Sequence, residues 1–449
     1  MNYGNMKHFF PVAALILLVA ACNSQEKLSS YSWENDLKGR IGCDFTCSED
    51  EVRDYISNYI PNVTDSQMRR WENERSLECM TIDGEKWYFN QAGPNLFRIN
   101  PACRAIKELL STPGYSAVEK ADMDNLPEIM RDALQSPSAT AAPKRMRVTY
   151  TLTVRPDAVP EGKTVRCWLP FPRTDHPRQQ NVKLISTQPL RHRLAPAGST
   201  HSTVYMEQKA VKGQSTVFTE TFEFTSYGEW HNLAEARILP YNTRSAVYRE
   251  YTSERAPHMV FSPRLRHLAD SLTSGTDNPY EKALRLFHWI NDSFPWASAR
   301  EYSTIENIPE YVLDNRHGDC GQVSLLFITL CRISGIPAHF QSGFMMHPDG
   351  WNLHDWAEIY FEGVGWVPVD QSFGVPSYAR SEAERNFFLG GIDSWRLIVN
   401  ADYGRPLCPK KKYPRSETVD FQRGEVEWEG GNLYFTMWDY DMKITYLDV

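Results

Sequence analysis

The stretch from Gly318 to Asp370 constrains the fold more than any other part of the chain. It contains Gly-Asp-Cys-Gly-Gln at its start, His-Asp-Trp-Ala-Glu in its middle and Gly-Trp-Val-Pro-Val-Asp at its end. An apolar stripe with helical spacing follows the first motif, whereas the other two motifs alternate as strands do. The stretch therefore predicts a helix followed by a β-hairpin, with one reactive residue type on each element.

The first motif places Cys320 at or near the start of a helix that ends at Gly335. The apolar stripe that this helix would bury is Val323, Leu326, Phe327 and Leu330. A helix N-terminus carries a partial positive charge and free N–H groups. We expect these groups to lower the pKa of the Cys320 thiol and to bind an oxyanion. Cys331 continues the apolar stripe and is expected to be buried and inert.

The second and third motifs supply a base and a carboxylate. If the hairpin is centred near Glu362, His354 and Asp370 stand opposite each other on one face. Asp370 would then orient the imidazole, and His354 would take the proton from Cys320. A register slip would separate them. The order Cys320, His354, Asp370 thus predicts a thiol-based acyl-transfer site.

Each of these residues also has a structural interpretation when it is taken alone. A cysteine at a helix start, a histidine on a strand and an aspartate after a strand are all common without catalysis. Their order and spacing favour chemistry. Four other histidines show no matching carboxylate and are expected to be structural: His258, His317, His339 and His347.

The N-terminus predicts export. Lys7 precedes the apolar run Phe9–Ala21, which is too short to span a bilayer comfortably, and Cys22 follows. Val-Ala-Ala-Cys22 resembles a bacterial lipobox, which predicts a lipoprotein signal peptide at 1–21 and a lipid on Cys22. An ordinary secretory signal is the alternative. We expect attachment to the cell envelope, on the periplasmic or surface face of the outer membrane.

Charge and cysteine content limit the partners. The net charge is −8, and no basic block exceeds Lys410–Lys412, so nucleic acid is not an expected partner. No motif predicts a nucleotide, a flavin or a metal, so no cofactor is expected. In an oxidising compartment, two disulfides are favoured among four clustered cysteines, with three connectivities open and with free thiols or zinc as alternatives. These cysteines are Cys43, Cys47, Cys79 and Cys103.

Changes in hydrophobic periodicity predict the domain organisation. Residues 22–135 read as a mainly helical N-terminal domain, with a capping box at Ser48–Glu51. A Pro- and Ala-containing linker covers 136–143, and strands with a period of two predict a β-sandwich at 144–235. Residues 236–400 mix helices and strands, and 401–449 are predicted to be a β segment packed on that core.

The three motifs, with Leu-Cys-Arg-Ile-Ser-Gly-Ile-Pro-Ala between them, resemble the transglutaminase-like superfamily over about residues 275–375. The resemblance implies an α+β fold with a papain-like core, helices packed on an antiparallel sheet, and a Cys-His-Asp triad at Cys320, His354 and Asp370. Gln371-Ser372 follows the aspartate where many members have Pro-Thr. The oxyanion partner is not fixed by a motif, and Trp296 and Tyr302 are candidates.

The resulting functional hypothesis is acyl transfer from a peptide or glutamine amide through a thioester on Cys320. With water as acceptor the protein is a cysteine peptidase or amidase, which is the first choice. With a lysine amine as acceptor it is a cross-linking transglutaminase. A surface-binding lipoprotein with a vestigial triad is the hypothesis from another class. The expected partners are a peptide or protein substrate and, through the lipid anchor, a membrane.

Overall fold

The computed structural model describes residues 32–135 and 139–448. The predicted signal peptide at 1–21 and the lipidated Cys22 lie outside the described residues. Within the described ranges, no helix combines the length and apolarity that a membrane crossing needs.

The helices, numbered along the described chain, are α1 (Trp33–Asp44), α2 (Glu49–Ser57), α3 (Asp65–Asn73), α4 (Ala92–Ile99), α5 (Pro101–Leu109), α6 (Ala117–Gln135), α7 (Ala246–Tyr251), α8 (Pro263–Thr273), α9 (Pro279–Ser293), α10 (Ile308–Asn315), α11 (Cys320–Ile333) and α12 (Glu382–Arg385). A short 3₁₀ turn covers Tyr302–Thr304.

The strands are β1 (Phe45–Cys47), β2 (Cys79–Ile82), β3 (Glu85–Phe89), β4 (Thr140–Val154), β5 (Thr164–Pro170), β6 (Gln179–Gln188), β7 (His192–Leu194), β8 (Thr203–Lys209), β9 (Thr216–Trp230), β10 (Ala338–Met345), β11 (Asn352–Phe361), β12 (Gly365–Val369), β13 (Gly391–Ile392), β14 (Arg396–Ile398), β15 (Glu425–Trp428), β16 (Gly431–Leu433) and β17 (Trp438–Leu447).

In the N-terminal unit, helices surround a small sheet whose strand order is β1-β3-β2. The predicted capping box is present, since Ser48 caps α2 and Glu51 bonds back to it. The apolar side chains of α2 and α3, including Ile56 and Trp71, close a core against β3 and α4. This unit is joined to the C-terminal segment by Arg40, whose guanidinium donates to the carbonyls of Arg415 and Ser416.

Cys43, Cys47, Cys79 and Cys103 are all free thiols in the structure, so the predicted disulfides among them are not formed. Strand order explains part of this result. Cys47 and Cys79 both pair with Tyr88, but from opposite sides of β3. Strands two positions apart lie about 10 Å apart, beyond the reach of a disulfide.

The β-rich part consists of two sheets packed face to face, one in the order β13-β9-β4-β17 with β6 on β9, the other in the order β16-β15-β5-β8-β7. The C-terminal strands belong to both sheets. β17 pairs with β4 from Trp438↔Val154 to Leu447↔Arg145, and β15 pairs with β5. The strands of the predicted C-terminal β segment at 401–449 therefore pair with the sandwich, whereas Tyr403 and Val419 of the same range join the core around α11. Trp438 and Met442 bury their side chains in the sandwich. β4 also begins at Thr140, inside the predicted linker.

The mixed unit contains an antiparallel sheet in the order β12-β11-β10-β14. Helix α11 packs on it, and Leu326 and Leu330 share a core with Ala357 and Ile359 of β11. Phe344 of β10 joins the sandwich core, so the sheet connects the two units. The predicted α+β class, with helices on an antiparallel sheet, is confirmed.

Candidate active site

Helix α11 begins at Cys320, as the sequence predicts, because Asp319 caps it. The Asp319 carboxylate accepts from the N–H of Gln322 at 3.0 Å, and the Gln322 side chain accepts from the N–H of Asp319 at 3.2 Å. The N–H groups of Cys320 and Gly321 make no hydrogen bond within the described residues. Two donors beside the thiol are therefore available to an oxyanion.

The Cys320 thiol contacts a carboxylate. Its Sγ lies 3.6 Å from Oδ2 of Asp355, to which it donates. Burial, followed by the charges of Asp355 and Asp319, raises the pKa of Cys320 well above its usual range. The expectation that the helix start would lower this pKa is wrong, because desolvation and nearby carboxylates both oppose a thiolate.

Gly321 allows the thiol to approach this carboxylate. A Cβ at position 321 would lie 2.3 Å from the hydroxyl of Tyr302 and 2.6 Å from Oδ2 of Asp355. Any larger residue would therefore displace the two side chains that flank the thiol.

The structure brings His354 and Asp370 together. His354 Nε2 lies 2.8 Å from Oδ2 of Asp370, and both side chains are buried. The predicted register is wrong, however. β11 and β12 pair as Phe361↔Gly365 to Ala357↔Val369, which centres the hairpin on Gly363 and places Asp370 diagonal to His354. The two residues still share a face because the displacement is two residues, which is the period of a strand.

A buried arginine strengthens this pair. Arg396 Nη1 lies 2.9 Å from Oδ2 of Asp370, with both side chains inaccessible to solvent. Burial alone would raise the pKa of Asp370, but the neighbouring His354 and Arg396 lower it to about 2. Burial lowers the pKa of His354 below its ordinary value, so the imidazole is held neutral and ready to accept a proton.

The network continues away from the hairpin. Arg396 Nε donates to Asp393 at 2.6 Å, and His347 lies 3.5 Å from Asp393 and 2.9 Å from Asp122 of α6. Thus His347 has a matching carboxylate, contrary to the sequence analysis, and so has His339, whose Nε2 lies 3.1 Å from Glu358. These partners are distant in sequence, so no local motif reveals them.

Asp122, His347 and Asp393 are also the residues, in the described part of the chain, whose ligand atoms are close enough to hold a metal ion. All three already take part in the hydrogen-bonded network, and the guanidinium of Arg396 donates to the carboxylate of Asp393. The group is therefore explained as a charge network that supports Asp370.

The Cys320 thiol and the His354 side chain lie on opposite faces of the sheet at β11. His354 and Asp355 are consecutive on the strand, so their side chains point to opposite faces. No hydrogen bond joins the thiol to the imidazole within the described residues. The pairing of β11 with β12 ends at Ala357, and beyond it the carbonyl of His354 accepts from the Gln422 side chain at 2.9 Å.

A cavity of about 230 Å³, here called the thiol pocket, opens at Cys320. Both oxyanion candidates line it. The hydroxyl of Tyr302 is engaged, since it donates to Asp319 at 2.6 Å. Trp296 is 44% exposed at the rim, which leaves its indole accessible to a ligand. The remaining lining residues are Ser298, Ala299, Arg300, Glu301, Ser303, Asp319, Asn352, Leu353, Asp355, Glu417, Thr418, Asp420, Gln422 and Arg423.

Sequence reasoning missed the contribution of the segment before β15. Gln422 donates through Nε2 to the carbonyl of His354 and to Oδ1 of Asp355, both at 2.9 Å. It thereby holds both faces of β11 from a position 67 residues away along the chain. Gln422 belongs to no recognisable motif, so only tertiary contact reveals it.

Comparison with known proteins agrees with this architecture. Residues 266–371 match the model of the transglutaminase-like superfamily. An alignment of 256 positions, which covers 49% of this chain and 34% of the other, is 25% identical to the uncharacterized protein YebA of Bacillus subtilis. An alignment of 125 positions, which covers 25% of this chain and 19% of the other, is 25% identical to the protein-glutamine gamma-glutamyltransferase of Pseudomonas aeruginosa. The matches thus span about a third and a fifth of the length of these relatives.

Among solved structures, a candidate cysteine protease from Cytophaga hutchinsonii aligns with a TM-score of 0.47 at 15% identity, over 69% of this chain and 93% of that chain. The periplasmic domain of TgpA from Pseudomonas aeruginosa aligns with a TM-score of 0.29 at 16% identity, over 59% of this chain and 94% of that chain. The resemblance predicted from the three motifs is confirmed by the family match, and Cys320, His354 and Asp370 all lie within the matched range. The chain therefore carries a transglutaminase-like domain at residues 266–371.

Proposed function

We propose that the protein transfers the acyl group of a peptide or glutamine amide through a thioester on Cys320, with His354 as the base and Asp370 as its orienting partner. The observation that carries this proposal is the buried hydrogen bond of 2.8 Å between His354 and Asp370, beside a helix that starts with Cys320. A neutral imidazole fixed by a carboxylate is what general-base activation of a thiol requires.

The raised pKa of Cys320 implies that the resting thiol is protonated. In the reactive complex the Cys320 side chain turns from Asp355 toward Nδ1 of His354. Such contacts often tighten only when substrate binds. The proton moves to His354 as the S–C bond forms, and the N–H groups of Cys320 and Gly321 stabilise the oxyanion. His354 then protonates the leaving nitrogen as the C–N bond breaks.

Hydrolysis of the thioester is our first choice for the second step. His354 takes a proton from water, whose oxygen attacks the thioester carbonyl, and the thiol is regenerated. Water reaches the half-buried Cys320 without a second binding site. The alternative acceptor is a lysine amine, which the name of the Pseudomonas aeruginosa relative favours.

The decisive experiment is to trap the acyl-enzyme. We expect a glutamine-containing peptide to give a mass adduct on Cys320, with ammonia released, and a primary amine added in the same assay separates hydrolysis from amine transfer. Cys320→Ala should abolish the adduct, whereas Cys408→Ala, which removes another half-buried thiol, should retain it. An adduct that persists in Cys320→Ala contradicts the proposal. No adduct on a correctly folded wild type favours a binding lipoprotein with a vestigial triad.

We also propose that the chain is exported and anchored by a lipid on Cys22. The N-terminal run Phe9–Ala21 and the small residues before Cys22 support this. Metabolic labelling with a radioactive fatty acid should mark the wild type and not Cys22→Ala. Equal labelling of both proteins contradicts lipidation at this residue.

A further inference from the structure

The lining of the thiol pocket is strongly acidic. It contains five carboxylates and two arginines around the nucleophile Cys320. The acids are Glu301, Asp319, Asp355, Glu417 and Asp420, and the bases are Arg300 and Arg423. A negatively charged pocket disfavours anionic ligands and attracts cations.

The two arginines are already paired. The guanidinium of Arg423 meets Glu301 at 2.9 and 3.0 Å and Glu417 at 2.6 Å. Arg300 lies 3.5 Å from Glu78, outside the pocket. Their charges are therefore balanced by Glu301, Glu417 and Glu78. Within the described residues no ion pair reaches the carboxylates of Asp319, Asp355 and Asp420, although Arg415 donates to the carbonyl of Asp420 at 2.8 Å.

These three aspartates differ in one respect. Asp319 accepts from Tyr302 and Gln322, and Asp355 accepts from Cys320 and Gln422. The side chain of Asp420 accepts no hydrogen bond within the described residues, although it is only 8% exposed and lines the pocket. Its oxygens are not among the fully buried atoms that lack a partner, so they face the pocket, where a ligand can meet them.

The electrostatics of the pocket favour a cation. Burial and then Glu417 raise the pKa of Asp420 well above its usual range, and burial and then Asp420 do the same for Asp355. Burial likewise raises the pKa of Asp319 to about 6. A bound cation would relieve this repulsion.

We propose that Asp420, with Asp355, binds the primary ammonium group of the substrate beside Cys320. An ammonium has three N–H donors, which can bond carboxylate oxygens from different elements. A metal ion fits less well, since the pocket carboxylates are not among the described residues whose ligand atoms converge. The catalytic consequence of this ammonium site rests on the proposed acyl transfer. The ammonium belongs either to the peptide that donates the acyl group or to the amine that accepts it.

The first test measures charge preference at Cys320 without any catalysis. Methanethiosulfonate reagents form a mixed disulfide with the thiol and release methanesulfinate, and they exist with aminoethyl, methyl and sulfonatoethyl groups. We expect the cationic reagent to modify Cys320 roughly tenfold faster, relative to the neutral one, than it modifies free cysteine, and the anionic one to be slower. Cys320→Ala supplies the background from other thiols. High ionic strength should weaken the preference in the wild type.

Asp420→Asn should lower the cationic preference at least severalfold, because it removes one charge while keeping the shape. The matched control is Asp441→Asn, which removes an exposed carboxylate on β17 and should change nothing. The proposal is overturned if the wild type shows no preference over free cysteine, or if Asp420→Asn alters the preference less than twofold.

The second test identifies the source of the ammonium. If the donor supplies it, Asp420→Asn raises KM for glutamine peptides with a free amino terminus and leaves acetylated, uncharged peptides unchanged. If the acceptor supplies it, only KM for the amine rises. Equal effects on charged and uncharged substrates overturn the site. Charge preference without any acyl transfer would remove the proposed function alone, whereas acyl transfer without charge preference would remove this inference alone.

Discussion

His354 and Asp355 are neighbours on β11, yet the two faces of the sheet to which their side chains point have opposite electrostatics. On the His354 face, the pKa of Asp370 is lowered to about 2, and the pKa of Asp393 is lowered as well. On the Asp355 face, the pKa values of Asp355 and Asp420 are raised well above the usual range. Burial opposes ionisation on both faces, so burial does not make the difference.

The difference comes from where the arginines lie. Arg396 contacts both Asp370 and Asp393, and it faces no other carboxylate at comparable distance within the described residues. Arg423 is engaged by Glu301 and Glu417, and within the described residues no ion pair reaches the carboxylates of Asp355 and Asp420. One face thus has its charges paired, as an orienting carboxylate requires, and the other has more carboxylates than ion-paired cations.

The largest effect is expected at Asp370. Replacing Asp370 by Asn keeps the shape but removes the charge that fixes His354, and we expect kcat/KM for acyl transfer to fall by about ten-thousand-fold. Steady-state kinetics with a glutamine peptide checks this, with Asp441→Asn as control and circular dichroism to verify the fold. A loss below about tenfold would show that His354 is oriented by something other than this carboxylate.

Arg396 is expected to dominate stability on the same face. Arg396→Met leaves Asp370 and Asp393 buried without a cation, and the free energy of unfolding should fall by about 3–5 kcal/mol. Denaturant titration measures it. Arg155→Met removes an exposed ion pair with Asp439, whose side chains are 55% and 70% exposed, and should cost less than about 0.5 kcal/mol. Comparable losses in both variants would refute the special role of Arg396.

A smaller effect of opposite sign is expected at Asp44, at the end of α1 beside Glu301. Burial and then Glu301 raise its pKa to about 7. The folded state therefore holds this proton more tightly than the unfolded state, and stability falls as pH rises from about 4 to about 7. Asp44→Asn should stabilise the protein at pH 8 by about 1–2 kcal/mol and have little effect at pH 4. Thermal unfolding at the two pH values tests this, and destabilisation at pH 8 would contradict it.

The smallest effect concerns the pH profile. Because burial lowers the pKa of His354 below 6.5, the acidic limb of kcat/KM should lie below pH 6.5. A limb above pH 6.5 would mean that Asp370 outweighs burial, which would reverse the electrostatic assignment of this face.

Local patterns predicted the elements of the site well. The capped helix start at Cys320, the hairpin after it and the shared face of His354 and Asp370 all depend on sequence periods and caps within a few dozen residues. The centre of the hairpin was off by one residue, because turn geometry at Glu362–Gly365 is set by backbone conformation, including the positive φ of Gly363 and Gly365. The prediction of a lowered pKa for Cys320 is wrong because burial and the charges of Asp355 and Asp319 outweigh the effect of the helix start.

The amino-acid sequence by itself determined the order and type of the reactive residues, the α+β class and the elements that carry Cys320, His354 and Asp370. Those properties follow from periodicity and capping, which act between near neighbours. Tertiary structure alone decided the charges around them. Arg396, Asp420 and Gln422 lie outside every motif, and β15 and β17 joined the sandwich rather than the core. Electrostatic environment depends on distance through space, which the distance along the chain does not specify.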